Sequence, residues 1–155
     1  MASSRTTGPG SGGTGFSNGT AWTETAINKL PGGLAATDGD ASGQSGIGAT
    51  ETTLCSLTFT TISGRYYMVE GDLGISAASG ALTATLKITD GSNTALRSRT
   101  IDLTSGENKT AYIRYLATGD GTSTGFKLRV VRASGTGTIS TGVSLLTVTD
   151  VGPSF

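Results

Sequence analysis

Apolar and polar residues alternate along the chain from Thr53 to its end, and turn residues interrupt the alternation at regular intervals. The clearest case is the segment from Ala81 to Thr89, in which Leu, Ala, Leu and Ile alternate with Thr, Thr, Lys and Thr. A period of two is typical of a strand with one buried face and one solvated face. About eight such segments, about ten residues apart, predict an all-β fold: a single β-sandwich, jelly-roll-like in its connections.

The pattern also predicts which side chains share a face and where the chain turns. Tyr112, Arg114 and Leu116 are predicted on one face of the segment 109–117, with Tyr115 on the other. Asp90-Gly91-Ser92-Asn93 has the composition of a hairpin turn. A second hairpin is predicted between segments 109–117 and 126–131, and segments 138–141 and 143–151 are predicted to form a final pair of strands.

The first 50 residues have a different composition. Residues 3–20 are almost wholly Gly, Ser and Thr, which predicts an N-terminal arm over residues 1–20 and a sandwich domain over residues 21–155. The arm is either a tail without structure of its own or a segment that becomes ordered on a neighbouring subunit through Phe16 and Trp22. A short strand is predicted over residues 22–30, followed by a long Gly-rich loop around residues 31–50.

Composition narrows the classes of function. Gly, Thr and Ser make up nearly half of the chain, which favours strands and tight turns over helices. Eleven basic residues balance eleven acidic ones, so a nucleic-acid partner is not expected. The basic groups Arg97/Arg99 and Lys127/Arg129/Arg132 are interpreted as solvated strand edges and faces. No apolar run has the length of a membrane span and no signal-peptide pattern is present, so we expect synthesis in a cytoplasm and no membrane partner.

The residue clusters that support catalysis or ligand binding are sparse. The chain has no histidine and one cysteine, Cys55, which is predicted to be a small buried side chain rather than a nucleophile. Glu70 and Asp72 share a predicted strand face, and we interpret them as solvated rather than as a glycosidase pair. Asp38-Gly39-Asp40 lacks the ligand spacing of a calcium loop. The sequence therefore predicts no catalytic, cofactor or metal site.

Four motifs carry a resemblance to a known group of proteins. They are Glu51-Thr52-Thr53-Leu54, Ser63-Gly64-Arg65-Tyr66-Tyr67-Met68-Val69, the run from Val131 to Ile139 that contains Ser134-Gly135-Thr136-Gly137, and the ending from Leu146 to Pro153. In this order they resemble the small β-rich virion proteins, named decoration or minor tail proteins, of tailed bacteriophages that infect actinobacteria. The resemblance covers residues 51–155, about two thirds of the chain.

The resemblance implies a non-enzymatic virion protein, made in the bacterial cytoplasm. It implies a homotrimer that decorates the outer surface of the head or attaches to the tail, and an arm over residues 1–20 is suited to gripping the major capsid protein. Candidate partner-binding residues are the arm anchors Phe16 and Trp22 and the interface aromatics Tyr66, Tyr112 and Tyr115. Ordinary core packing is the alternative for the three tyrosines.

Two other classes of function remain open. A receptor- or glycan-binding tail tip would present Trp22, Tyr66 or Phe155 to a sugar of the host surface. A cell-wall hydrolase would use Glu70 and lose its activity in Glu70→Gln. The absence of heptad repeats typical of a long tail fibre favours the head over the tail.

Overall fold

The computed structural model describes residues 32–153. That part of the chain is all-β, as predicted, and no helix in it has the length and hydrophobicity needed to cross a membrane. Its eight strands are β1 (Gly33–Asp40), β2 (Thr52–Thr60), β3 (Arg65–Ser79), β4 (Leu82–Asp90), β5 (Ala95–Leu103), β6 (Asn108–Thr118), β7 (Ser123–Gly135) and β8 (Thr138–Pro153). The predicted arm, the predicted strand at 22–30, and Phe16, Trp22 and Phe155 lie outside the described residues.

The strands form two four-stranded antiparallel sheets. The first sheet has the order β1-β8-β3-β6 and the second has the order β2-β7-β4-β5. Apart from the β4-β5 hairpin, each strand is followed by a strand of the other sheet. This strand order and these crossings define an eight-stranded jelly roll. The predicted β-sandwich is therefore confirmed.

The core lies between the two sheets and comes mainly from their central strands. Val69 on β3, Leu86 on β4 and Leu128 on β7 are fully buried, as the alternation predicted, and Leu146 on β8 is fully buried as well. Gly71 lies on the inner face of β3, where an added Cβ would be 2.5 Å from Leu128 Cδ1. The side chain of Leu128 therefore fills the space that a side chain at position 71 would need.

Two predictions about strands are corrected. The first half of the predicted loop around residues 31–50 is strand β1, which pairs with β8 along most of its length. The predicted pair 138–141 and 143–151 is one strand, β8, interrupted by a bulge: Leu73 pairs with Ser144 but Ile75 pairs with Thr141. The bulge shifts the register by one residue and mimics a break in the sequence pattern.

The two hairpin predictions have different outcomes. The first is confirmed, because β4 and β5 are paired and Asn93 adopts φ 71° in the turn between them. The second is wrong: β6 pairs with β3, whereas β7 pairs with β2 and β4 in the other sheet. The chain from residue 119 to 122 crosses the open end of the sandwich, which a local pattern cannot distinguish from a hairpin loop.

Candidate interaction surface

The Gly-Arg-Tyr and Asp-Val-Gly-Pro motifs meet in a buried ion pair. Arg65 Nε lies 2.6 Å from Asp150 Oδ2, and both side chains are more than nine-tenths buried. The other carboxylate oxygen of Asp150 accepts a hydrogen bond from the backbone N–H of Gly152 at 3.0 Å, and Gly152 has φ 118°. Burial removes each charge from water, and the attraction between the two opposite charges offsets part of that cost. These motifs hold β3 to β8 and do not form a site.

The Ser-Gly-Thr-Gly motif is explained by a tight turn between β7 and β8. Gly135 has φ 87°, a conformation that favours glycine. An added Cβ at Gly137 would lie 1.8 Å from the backbone oxygen of Ser79, so only glycine fits there. Arg132 closes the turn by donating to the backbone oxygen of Gly137 at 2.6 Å. This motif is therefore also structural.

Glu51, in the first motif, joins two basic residues on the outer face of the second sheet. Its carboxylate oxygens lie 2.8 Å from Lys87 Nζ and 2.7 Å from Arg129 Nη1. The register pairs Lys87 with Arg129 across β4 and β7, so the carboxylate offsets the repulsion between two neighbouring positive charges. The basic residues of this sheet are thus partly neutralised rather than gathered into a basic patch.

The other candidate chemical groups have structural partners. Asp38 accepts from the backbone N–H of Ser56 at 2.7 Å, and Asp40 caps the turn after β1 through the backbone and hydroxyl of Ser42. The side-chain hydrogen bond from Ser42 is the main cause that lowers the pKa of Asp40. Burial raises the pKa of the Cys55 thiol, which faces the Ser144 hydroxyl in the core. Among residues 32–153, no group of three or more His, Cys, Asp or Glu side chains is arranged to hold a metal.

The outer face of the first sheet has an unusual surface, which we call the apolar face. Of the large apolar side chains that are exposed in the described part of the chain, all but Ile62 belong to β1, β6 or β8 of this sheet, at 40% to 66% exposure. They are Leu34, Tyr112, Leu116, Val143, Leu145 and Val151. The outer face of the second sheet contains none of them, and we call it the polar face. An exposed apolar patch rimmed by polar groups is typical of a protein-binding surface.

The strand register arranges the apolar face in rows across the sheet. One row runs Leu34, Thr149, Met68, Leu116 from β1 to β6. The neighbouring row places Glu70 opposite both Thr147 and Arg114, and the row beyond it places Asp72 between Leu145 and Tyr112. A central polar stripe therefore separates two apolar zones of the face.

The three candidate interface tyrosines do not form one group. Tyr66 and Tyr112 both point outward on the apolar face, but Tyr66 lies at the end of the paired strands, opposite Thr118, whereas Tyr112 lies near their middle, opposite Asp72. Tyr112 is 40% exposed and donates its hydroxyl hydrogen bond to Glu70, whereas Tyr66 is half-buried. Tyr115 lies on the inner side of β6 and packs against the core. The sequence did not identify Leu34, Leu116 and Leu145 as members of one exposed surface, because each looks unremarkable within its own strand.

The open sides of the sandwich are each closed by a charged side chain. At one side, Asp38 of β1 accepts from the backbone N–H of Ser56 on the edge strand β2. At the other side, Arg99 of β5 donates to the backbone oxygen of Tyr112 on the edge strand β6 at 2.6 Å. Arg99 pairs with the buried Leu86, so it lies on the inner side of an exposed edge strand, and not simply on a solvated face. Inward-pointing charges on edge strands oppose edge-to-edge pairing with another chain.

A groove of about 530 Å³ lies at one end of the sandwich. Its lining residues are Ala81, Leu82, Thr83, Asp102, Leu103, Thr104, Glu107, Lys109, Ser134 and Gly135. Lys109 is already engaged there with Glu107 and with the backbone oxygen of Asp102. The lining contains no aromatic ring on which a sugar would stack, so the groove is a weaker candidate site than the apolar face.

No protein-family model matches the chain, and no curated protein is significantly similar to it. Solved structures with a similar fold include that of the infectious bursal disease virus Gx strain, at 20% identity and a TM-score of 0.49 over 77% of this chain and 32% of that one. The VP2 subviral particle of infectious bursal disease virus is similar at 17% identity and a TM-score of 0.48, over 76% of this chain and 32% of that one. A structure titled CBM4 structure and function is similar at 14% identity and a TM-score of 0.35, over 62% and 59% of the two chains.

The chain therefore spans about a third of the length of these viral chains. Similarity at this level is no argument for a shared function. The jelly roll itself is established by the strand order of this chain.

Proposed function

We propose that the chain is a non-enzymatic structural protein of a bacteriophage virion. In this proposal it is a homotrimeric decoration protein bound to the outer surface of the capsid, which it stabilises. The single observation that carries the proposal is the apolar face, since a jelly roll with a large exposed apolar surface on one sheet is suited to binding proteins. Jelly rolls are common in viral capsid domains, which supports the proposal by analogy of fold.

The described residues favour binding over catalysis. Glu70 and Asp72 share a strand face, as predicted, but that face is the open outer surface of a sheet rather than a cleft. Glu70 accepts the hydroxyl hydrogen bond of Tyr112, and Asp38 and Asp40 bind backbone amides. Stabilising a capsid requires no chemical step, because many copies that each make modest contacts suffice.

The arm over residues 1–20 is the proposed contact with the major capsid protein. The test is cryo-electron microscopy of particles of the phage that encodes the chain, comparing the full chain with a deletion of residues 2–20. Trimeric density at capsid symmetry axes, weakened by the deletion, is the expected result. A Phe16→Ala variant keeps the full length of the arm and is the matched control for the deletion. Weaker density in this variant would show that Phe16 itself anchors the arm, whereas unchanged density would assign the effect of the deletion to the rest of the arm. Density confined to the tail would reject the decoration role.

A minor tail protein with a glycan-binding tip is the second candidate, favoured by one observation. Tyr112 is an exposed ring next to the carboxylates of Glu70 and Asp72, a combination that suits sugar stacking and hydroxyl recognition. Binding of the purified protein to host cell-wall polysaccharide tests this role. Loss of binding in Tyr112→Ala, with binding kept in Thr100→Ala on the polar face, would support it. Failure of the unaltered chain to bind the polysaccharide would reject it.

A further inference from the structure

We propose that the apolar face binds a second copy of this chain through its own apolar face. This inference rests on the self-association in the proposed function but not on its trimer: a face that meets the same face of another copy forms a two-fold pair, so a dimer in sedimentation velocity supports the inference and a trimer overturns it. The face carries six exposed large apolar side chains contributed by three of the four strands of the sheet, and most of them lie in the two apolar zones on either side of the polar stripe. Burial against another copy would remove this apolar area from water.

The size of the face matches what a stable interface requires. Strand β6 has 11 residues, which corresponds to a length of about 36 Å, and four strands span a width of about 19 Å. The outer surface of the sheet is therefore about 700 Å², close to the roughly 800 Å² per partner of a standard protein interface. The polar face has a similar outline but lacks the apolar anchors that dominate binding energy.

The charges of the apolar face complement each other. Arg114 and Asp72 form no ion pair within residues 32–153, and they occupy neighbouring rows of the face: Arg114 lies opposite Glu70, and Asp72 lies opposite Tyr112. A face that carries both an unpaired cation and an unpaired anion can match charge against charge when two copies meet. The arginine of one copy then lies against the acidic residue of the other, which fixes the register of the two faces.

Two copies can associate more easily through the apolar face than by pairing the edge strands of their sheets. Asp38 binds the backbone N–H of Ser56 on β2 and Arg99 binds the backbone oxygen of Tyr112 on β6, so one backbone group that a neighbouring strand could use is occupied on each of these two edge strands. Edge-to-edge extension of a sheet would have to break these contacts. Face-to-face packing leaves both contacts intact.

The test compares matched substitutions on the two outer faces of the full chain. Leu116→Asp lies on the edge strand of the first sheet, and Thr100→Asp lies at an exposed position on the edge strand of the second sheet. We expect the full chain to self-associate in sedimentation velocity. Leu116→Asp, and separately Leu145→Asp, should weaken the self-association Kd about tenfold or more, because a charge is placed in an apolar contact. Thr100→Asp should leave the Kd unchanged, and all variants should keep the circular dichroism spectrum of a folded β protein.

A charge exchange tests the pairing directly. Arg114→Asp and Asp72→Arg should each weaken self-association when measured alone. A mixture of the two single variants should form a mixed complex more tightly than either variant associates with itself, because each repaired contact again joins opposite charges. Equal weakening by Thr100→Asp, or no preference for the mixed complex, would overturn the proposed register.

Residues 21–31 of the same chain could cover the apolar face in place of a second copy. The fluorescence of Trp22, the single tryptophan of the chain, distinguishes the two cases. If residues 21–31 of the same chain cover the face, the protein will be monomeric at all concentrations and Leu116→Asp will shift the Trp22 emission to the red. That result would overturn the inference. Self-association through the face in a protein that is absent from virions would instead reject the proposed function and leave the inference standing.

Discussion

The two sheets of the sandwich are alike on their inner faces and different on their outer faces. Both inner faces consist of alternate apolar residues from the strands, and the central strands bury them almost completely. Outside, the first sheet exposes Leu34, Leu116 and Leu145, whereas the second exposes Thr, Ser and a carboxylate joined to Lys87 and Arg129. Folding explains the inner faces of both sheets, but it requires no exposed apolar residues, so the outer face of the first sheet is the surface that the proposed binding would use.

The charged groups of the two sheets differ in the same way. The Arg65–Asp150 pair of the first sheet is buried, and the Glu51 cluster of the second sheet is partly exposed. A buried charge that loses its partner is costly, whereas an exposed one is solvated by water. The stability of the fold should therefore depend far more on the first pair than on the second cluster.

Asp150→Ala is the substitution with the largest expected effect. It leaves the buried guanidinium of Arg65 without this carboxylate, and we expect the free energy of unfolding to fall by about 3–5 kcal/mol. Glu51→Ala is the comparison on the other sheet, with an expected loss of about 1 kcal/mol or less. Guanidinium unfolding measures both. Equal losses would show that burial does not distinguish the two sites.

Gly71→Ala should have the next largest effect, because it adds a methyl group where the inner faces meet. The new Cβ would be 2.5 Å from Leu128 Cδ1, and we expect a loss of about 1–3 kcal/mol in the free energy of unfolding. Gly74→Ala on the outer side of the same strand is the control. Its nearest neighbour, Gly142, is 3.8 Å away, so this variant should be neutral or slightly stabilised. Leu128→Val in the Gly71→Ala background should recover part of the loss.

Arg99→Ala should have a smaller effect on stability and a visible effect on association. It removes the hydrogen bond from β5 to the backbone oxygen of Tyr112, at a cost of about 1 kcal/mol or less. The edge of β6 then becomes available for pairing with another chain, so light scattering should show more aggregation on mild heating. Arg97→Ala, on the same strand and without a hydrogen bond in the described part of the chain, is the control. Identical aggregation of the two variants would contradict a protective role for Arg99.

The smallest expected effect concerns the titration of Tyr112 on the apolar face. The hydrogen bond to Glu70 is the main cause that raises the pKa of Tyr112 above its ordinary value of 10.0. The raised pKa favours the protonated phenol of the folded state, so its contribution to stability is complete below pH 10.0 and is lost as the pH rises through the folded pKa.

Glu70→Gln should lower the pKa of Tyr112 toward 10.0. The absorbance of the phenolate measures the shift, and Tyr112→Phe identifies which of the four tyrosines is observed. Asp72→Asn should shift the pKa less, because its effect is only a weak charge interaction. A Tyr112 pKa that does not change in Glu70→Gln would contradict the hydrogen bond.

The alternation of residue types was enough to predict the sandwich and the inner face of most strands. Leu82, Leu86 and Ile88 are buried as predicted, because burial of one face imposes a period of two that is visible within nine residues. Strand β1 was missed because Gly33–Asp40 is rich in Gly, Ala and Asp, shows no alternation of large apolar residues and is mostly exposed; it is a strand through its pairing with β8. The bulge in β8 and the crossing from β6 to β7 were missed because they depend on which strand lies next to which.

What the sequence determined by itself is the all-β class, the positions of most strands and the side chains that point into the core, since these follow from local periodicity. Only the tertiary structure decided that Arg65 meets Asp150, and that Leu34, Leu116 and Leu145 lie on one outer face. The physical reason is that such residues come from strands far apart in the chain, and their neighbourhood is created by hydrogen-bonded pairing between those strands. A surface of this kind has no signature within any single strand.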